Sequence, residues 1–170
     1  EVAGDDDDLV RLLAPLHLTD HVGRDGGRER AAAEDELQRH RAAGEEAFRA
    51  LPTNRPVYLV SESIGAGVVA HLAKTFPTKV AGILMLAPYD DLGSVAQSQM
   101  PLLPARWILR DRFRPAEWLT DYRGPVKIVI AERDEIIPPR FGQRLYESYK
   151  GPKELDVIPG AGHNDIAEQS

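Results

Sequence analysis

Cysteine is absent from the 170-residue sequence, which excludes disulfide bonds, thiolate nucleophiles and cysteine-ligated metal sites. No stretch approaches the ~20 apolar residues that a membrane-spanning helix requires, and no signal-peptide pattern opens the chain. The formal net charge of −6 argues against nucleic acid or an anionic membrane surface as the main partner. These absences predict a soluble, cytoplasmic protein with no membrane span and no nucleic-acid partner.

The remaining composition is that of an ordinary globular protein. Hydrophobic residues make up 42% of the chain and charged residues 28%, which is enough for one domain with a real core. The acidic run at residues 5–8 predicts a solvated tip, and residues 9–18, broken by Pro15, fit either a short helix or a short strand. We therefore divide the chain into an irregular or mobile segment at 1–27 and a folded core at 28–170.

From residue 28 onward the hydrophobic pattern alternates between helix and strand. Short apolar runs rich in valine, isoleucine and leucine indicate buried strands, whereas apolar residues spaced three or four apart indicate helices. The predicted strands are 57–60, 80–86, 126–131 and 155–158, and the predicted helices are 28–51, 64–75 and 139–149. Strands that alternate with helices require crossover connections, so the sequence predicts an α/β fold with a mainly parallel sheet.

Three of these strands are followed by residues whose side chains could take part in catalysis. Ser63 follows the first strand at a turn into a helix, with the small residues Ser61 and Gly65 on either side. Asp134 lies in the loop after the third strand, and His163 lies in a glycine-rich loop after the fourth. The carboxyl ends of the strands are the usual ligand site of an open α/β sheet. Acyl transfer to a serine needs a histidine to take the hydroxyl proton and a carboxylate to orient that histidine.

Each candidate residue also has a purely structural interpretation. Ser63 could be a helix N-cap, a position that favours serine, although this does not explain the small residues around it. Asp134 could be a surface carboxylate, and Glu132 and Glu135 compete for its role. His163 could be an exposed loop residue. We interpret the other four histidines as structural or incidental: His17, His21, His40 and His71.

Three stretches of the sequence together resemble a known enzyme superfamily. They are residues 57–65 (VYLVSESIG), 131–138 (AERDEIIP) and 159–165 (PGAGHND), each at the end of a predicted strand. Residues 55–166 resemble the carboxyl-terminal two-thirds of a small bacterial α/β-hydrolase. The closest likeness is to the serine hydrolase branch that includes depalmitoylating thioesterases and lysophospholipases. Ser61 departs from the family pattern, which usually has glycine there.

The resemblance implies a serine hydrolase that cleaves a small-molecule carboxylic ester or acyl-thioester and uses no cofactor or metal. In that reading Ser63 is the nucleophile, and His163 is the general base and then the general acid. Asp134 is the carboxylate that orients the imidazole. The backbone N–H of Ile64 is one donor to the oxyanion that forms during attack.

Residues 90–123, between the second and third predicted strands, form a candidate cap. They combine apolar side chains and prolines with interleaved arginines. The apolar residues either line an acyl pocket above the strand ends or simply cover the sheet. The arginines could favour an anionic substrate, but solvation of a helix surface explains them equally well.

One part of the catalytic apparatus is not found in the sequence. In the α/β-hydrolase fold the second oxyanion donor comes from a loop after an earlier strand, typically in a His-Gly context that residues 21–23 imitate poorly. The interval before Ser63 has room for the helix at 28–51 only. We therefore expect the first strands of the fold to be missing and the strand at 57–60 to be an exposed apolar edge. A chain that begins at Glu1 rather than at methionine fits this expectation.

Two functions from different classes are open on this basis. One is a serine hydrolase, and a peptidase or an acyltransferase would use the same residues with a different pocket and acceptor. The other is a truncated hydrolase, impaired in catalysis, that serves only as a folded or interaction domain. The sequence does not specify the acyl length of a substrate or the oligomeric state.

Overall fold

A parallel sheet organises the chain. The computed structural model describes residues 9–11, 28–52, 55–99 and 113–166. Within these residues the strands are β1 (Leu9–Arg11), β2 (Val57–Glu62), β3 (Val80–Leu86), β4 (Val126–Ala131) and β5 (Lys153–Ile158). They lie side by side in chain order, and every neighbouring pair is parallel. The parallel α/β fold predicted from the sequence is confirmed.

Helices connect the strands after β1. In the described part of the chain they are α1 (Arg28–Ala50), α2 (Gly65–Thr75), α3 (Leu92–Gln99), α4 (Pro115–Trp118) and α5 (Pro139–Ser148). A short 3-10 turn, His163–Asp165, follows β5. The helices α1, α2 and α5 agree closely with the three predicted helices. Between β3 and β4, in the predicted cap, the structure describes α3 and α4, and residues 100–112 lie outside the described residues.

The strand β1 pairs with β2, with Leu9 opposite Tyr58 and Arg11 opposite Val60. The expectation that β2 would be an unpaired edge is therefore wrong over this stretch, because β1 supplies the backbone partners that an edge strand lacks. The assignment of residues 1–27 as irregular is wrong at β1 as well. Three residues of strand are too few to produce the sequence alternation from which a strand is predicted.

The helices pack on one face of the sheet and enclose the main core. Alternate side chains of the strands point to this face, including Leu59 in β2, Met85 in β3 and Ile128 in β4, all fully buried. A smaller apolar cluster, which includes Leu86, lies on the opposite face. On that second face Tyr58 is 43% exposed, so the described elements cover the face only in part. The sheet is therefore anchored mainly by the core on the face that the helices cover.

The helix α2 approaches its neighbours closely at Gly67. A Cβ atom there would lie 2.6 Å from Phe113 Cδ1 and 2.7 Å from Tyr89 Oη, closer than real Cβ contacts allow. Phe113, at the end of the predicted cap, is buried and packs edge-on against Trp118 with ring centroids 5.5 Å apart. At this residue the cap segment covers the core. Glycine at position 67 is therefore a packing requirement of the helix that follows Ser63.

We expect Gly67→Ala to destabilise the fold even though alanine is the better helix former. Overpacking costs about 1–3 kcal/mol and helix propensity offsets about 1 kcal/mol of it, so the net loss should reach up to about 2 kcal/mol. Urea unfolding followed by circular dichroism measures this loss. Gly65→Ala is the matched control, because its Cβ would lie 3.4 Å from Ser61 Cβ, an ordinary contact. Equal unfolding midpoints for the two variants would contradict the packing argument.

Candidate active site

Ser63 occupies a strained turn between β2 and α2. Its φ is 52°, in the left-handed region that costs a non-glycine residue roughly 1–2 kcal/mol. The turn is held because Ser63 N donates to Leu86 O at 2.8 Å and Ala66 N donates to Ser63 O at 3.1 Å. The N-cap residue of α2 is Ile64, and no side chain caps the helix. The structure therefore does not support the interpretation of Ser63 as a helix cap.

The structure brings Ser63, His163 and Asp134 into one hydrogen-bonded row. His163 Nδ1 lies 2.6 Å from Asp134 Oδ2, and His163 Nε2 lies 2.9 Å from Ser63 Oγ. A carboxylate can only accept, so Nδ1 carries the proton in this bond. The lone pair of Nε2 then faces the serine hydroxyl, which donates to it. This is the arrangement in which an imidazole can remove a hydroxyl proton.

Asp134 is buried, and both of its carboxylate oxygens are hydrogen-bonded. Oδ2 accepts from His163, while Oδ1 accepts from Ile136 N at 2.9 Å and from Ile137 N at 2.7 Å. The side chain is only 1% exposed, so these donors replace the water that the charge has lost. Glu135, one of the two competing carboxylates, is exposed. Of the three acidic residues in this loop, the structure pairs Asp134 with the histidine.

The second competing carboxylate, Glu132, stabilises the loop that carries His163. Its Oε2 accepts from Gly160 N at 2.7 Å, and Gly160 has a φ of 71° that favours glycine. Arg133 N donates to Ala161 O at 2.9 Å, which joins the loop after β4 to the loop after β5. These bonds hold the two loops at a fixed separation, so that His163 can reach both of its partners.

Ile64, whose N–H is the candidate oxyanion donor, is fixed by a tyrosine that the sequence analysis did not select. Tyr89 is fully buried, and its hydroxyl donates to Ile64 O at 3.1 Å. Burial raises the pKa of the Tyr89 phenol, so the hydroxyl keeps its proton and remains a donor. Residues 21–23, the segment compared with a second oxyanion donor, lie outside the described residues.

A buried serine two residues before Ser63 lacks a hydrogen-bond partner. Ser61 is 1% exposed, and its Oγ has no partner in the described part of the chain. A Cβ on Gly65 would lie 3.4 Å from Ser61 Cβ, so the two positions pack directly against each other. Small residues fit this turn. Because Ser61 Oγ makes no hydrogen bond among the described residues, the hydroxyl gives this position no stabilising interaction that glycine would lack.

The remaining histidines of the described chain do not join this row. His71 Nε2 lies 2.7 Å from Glu45 Oε1, linking α2 to α1, and this hydrogen bond lowers the pKa of the Glu45 carboxyl. His40 lies half-buried on α1. His17 and His21, and the acidic run at residues 5–8, are outside the described residues. Within those residues no group of three or more histidine, aspartate or glutamate side chains could hold a metal ion. None of the helices described there is long and apolar enough to cross a membrane.

The parallel sheet, the strained serine turn and the hydrogen-bonded row together define an α/β-hydrolase. The sequence matches the serine hydrolase family over residues 30–169, and the chain belongs to that family. An uncharacterized protein of Mycobacterium tuberculosis is 34% identical over 104 residues, which cover 61% of this chain and 36% of that relative. The chain therefore spans little more than a third of the length of this relative.

Solved structures share the fold at low sequence identity. Est1E from Butyrivibrio proteoclasticus superimposes with a TM-score of 0.60 and 19% identity, over 75% of this chain and 62% of that one. The monoacylglycerol lipase of Paleococcus ferrophilus gives a TM-score of 0.55 and 18% identity, over 75% and 66% of the two chains. These likenesses support the α/β-hydrolase fold.

We expect Tyr89→Phe to reduce stability, because the Ile64 carbonyl would lose its buried side-chain donor. The loss should be about 0.5–1.5 kcal/mol, the usual net contribution of one hydrogen bond, because Gly67 N still donates to Ile64 O at 3.3 Å. Thermal and urea unfolding measure it. Tyr58→Phe is the matched control, since Tyr58 is 43% exposed. If both variants unfold at the wild-type midpoint, the Tyr89 hydroxyl is not holding Ile64.

Proposed function

We propose that this chain is a serine hydrolase that cleaves carboxylic esters or acyl-thioesters through an acyl-enzyme on Ser63. The proposal is carried by the hydrogen bond of 2.9 Å between Ser63 Oγ and His163 Nε2. A serine hydroxyl is a weak nucleophile by itself, and an adjacent base is what makes it reactive. Family membership over residues 30–169 supports the same conclusion.

In the first half of the reaction Ser63 Oγ attacks the carbonyl carbon of the substrate. His163 Nε2 takes the hydroxyl proton as the new carbon–oxygen bond forms, and the carbonyl oxygen becomes an oxyanion. Collapse of the tetrahedral intermediate breaks the bond to the leaving alcohol or thiol. The imidazolium gives its proton to that leaving group, and the acyl group remains on Ser63.

In the second half water replaces the leaving group. His163 takes a proton from water, the hydroxide attacks the acyl carbon, and collapse returns the proton to Ser63 while releasing the carboxylic acid. Asp134 keeps the proton of the neutral ring on Nδ1 and stabilises the imidazolium in both halves. The N–H of Ile64 is the proposed donor to the oxyanion at each tetrahedral stage. None of these steps requires a metal or a cofactor.

The substrate class is proposed from the chemistry of the site and from its neighbours. Ferulic acid is bound to Est1E in one of the similar structures, and another neighbour is a monoacylglycerol lipase. Ferulic acid and a monoacylglycerol each carry an acyl group with an apolar part, so both neighbours are consistent with an acyl substrate. We propose residues 90–123 as the cap that contacts this group. The cytoplasmic location and the thioester alternative stay predictions.

A second candidate function is a catalytically impaired hydrolase domain that acts only through binding. It is favoured by one observation, that residues 21–23 imitate poorly the His-Gly context in which the second oxyanion donor usually lies. Such a domain would keep the fold and the hydrogen-bonded row, yet would not turn over an acyl substrate. The two candidates therefore differ in the reactivity of Ser63, which can be measured directly.

We expect the purified chain to hydrolyse p-nitrophenyl acetate or butyrate, and Ser63→Ala to reduce the rate to background, a loss on the order of 10³-fold or more. Ser148→Ala is the matched control, because Ser148 lies outside the proposed cap and its Oγ donates within its own helix, to Leu145 O. The control should keep the wild-type rate. Equal rates for wild type and Ser63→Ala would contradict the proposal.

A fluorophosphonate probe separates the two candidates independently of the substrate. The probe phosphonylates an activated serine irreversibly, with loss of fluoride, so wild type should be labelled, and Ser63→Ala and His163→Ala should not. Mass spectrometry of the labelled peptide identifies the modified residue. A folded wild-type chain that takes up no label would favour the binding domain over the enzyme.

A further inference from the structure

Gln99, the last residue of α3, makes two hydrogen bonds to the loop that carries Asp134. Its Nε2 donates to Glu135 O at 2.8 Å and to Ile136 O at 2.9 Å. An amide nitrogen has two hydrogens, and both are used on this one loop. The bonds join residues 36 and 37 positions apart in the chain, so they tie two separate elements together.

The same two peptide groups also hold the carboxylate. The carbonyl of Glu135 shares a peptide group with the N–H of Ile136, and the carbonyl of Ile136 shares one with the N–H of Ile137. Those two N–H groups donate to Asp134 Oδ1 at 2.9 and 2.7 Å. Gln99 thus donates a hydrogen bond to the carbonyl of each peptide group whose N–H binds the Asp134 carboxylate.

The helix that presents Gln99 is itself held at its other end. Leu92 N donates to Phe113 O at 2.9 Å, and Ser94 N donates to Asp91 Oδ1 at 2.6 Å. The start of α3 is therefore fixed to the segment that packs on α2. Because the start of α3 is hydrogen-bonded to another segment, Gln99 at its end can hold the loop that carries Asp134 in place.

We propose that Gln99 is a positioning residue that aligns Asp134 with His163. Donation to the two carbonyls polarises the peptide groups, which strengthens their N–H bonds to Oδ1, and it fixes the plane of the loop. The Oδ2 atom then stays in line with His163 Nδ1. This inference rests on the proposed hydrolase function only for its consequence in catalysis, since the alignment itself is a property of the resting site.

The test compares variants of Gln99 that keep a long, flexible side chain and change its hydrogen-bond donors. Gln99→Met removes both donors and keeps an unbranched chain, whereas Gln99→Lys restores hydrogen-bond donation. We expect Met to lower kcat roughly tenfold at nearly constant KM, as for a catalytic group held less well in line. Lysine should recover a substantial part of this loss. A merely structural surface residue would tolerate both substitutions alike.

A spectroscopic readout is independent of turnover. The proton shared by His163 Nδ1 and Asp134 should give a low-field ¹H NMR signal in wild type, which should broaden or move upfield in Gln99→Met and persist in Gln99→Lys. Gln143→Met, at an exposed position of α5, is the matched control and should change neither the signal nor kcat.

The outcomes separate this inference from the proposed function. A Gln99→Met variant with wild-type kcat and an unchanged low-field signal would overturn the positioning role. A wild-type chain that hydrolyses no ester contradicts the proposed function, yet the NMR comparison still decides whether Gln99 aligns the pair. Circular dichroism of each variant verifies that the fold is retained.

Discussion

The hydrogen bond between Asp134 and His163 is the interaction on which the candidate site depends. Its length is 2.6 Å, and it joins the loop after β4 to the loop after β5. A buried carboxylate without donors would cost several kcal/mol, so the fold has to surround it with N–H groups. It does so with the imidazole and with two backbone amides, Ile136 N and Ile137 N. The charge is thereby satisfied while the imidazole is held in one orientation.

Backbone strain at the adjacent strand ends has a common explanation. Ser63 and Ala87, at the ends of β2 and β3, both have positive φ, 52° and 44°. Each is hydrogen-bonded to a neighbouring strand, through Ser63 N to Leu86 O and Ala87 N to Val129 O. These hydrogen bonds to the sheet therefore hold both residues in backbone conformations that neither would adopt alone. The close contact of α2 with Tyr89 and Phe113 has a similar effect, because it keeps the helix packed next to the Ser63 turn.

Local patterns predicted most of the fold and the three residues of the row. Strands β2, β3 and β4 are mainly apolar, and the candidate catalytic residues follow strand ends that meet at one edge of a parallel sheet. For residues 9–18 the sequence leaves a short helix and a short strand open, because Leu9–Arg11 is too short to show a period and its pairing with β2 is long-range. Tyr89 and Gln99 were missed for a related reason. Their contacts span 25 and 36 residues and follow no spacing that a sequence displays.

Family membership and catalytic rate are separate properties of this chain. Ser63, Asp134 and His163 all lie inside the matched residues 30–169, so the proposed nucleophile and base belong to the segment that places the chain in the family. Loss of one oxyanion donor from such a site slows acyl transfer by about 10²–10³-fold. Transfer of the Ser63 proton to His163 accompanies formation of the oxyanion, so a site that lacks this donor would also react more slowly at Ser63. Family membership therefore does not fix the rate, which the reactivity of Ser63 measures directly.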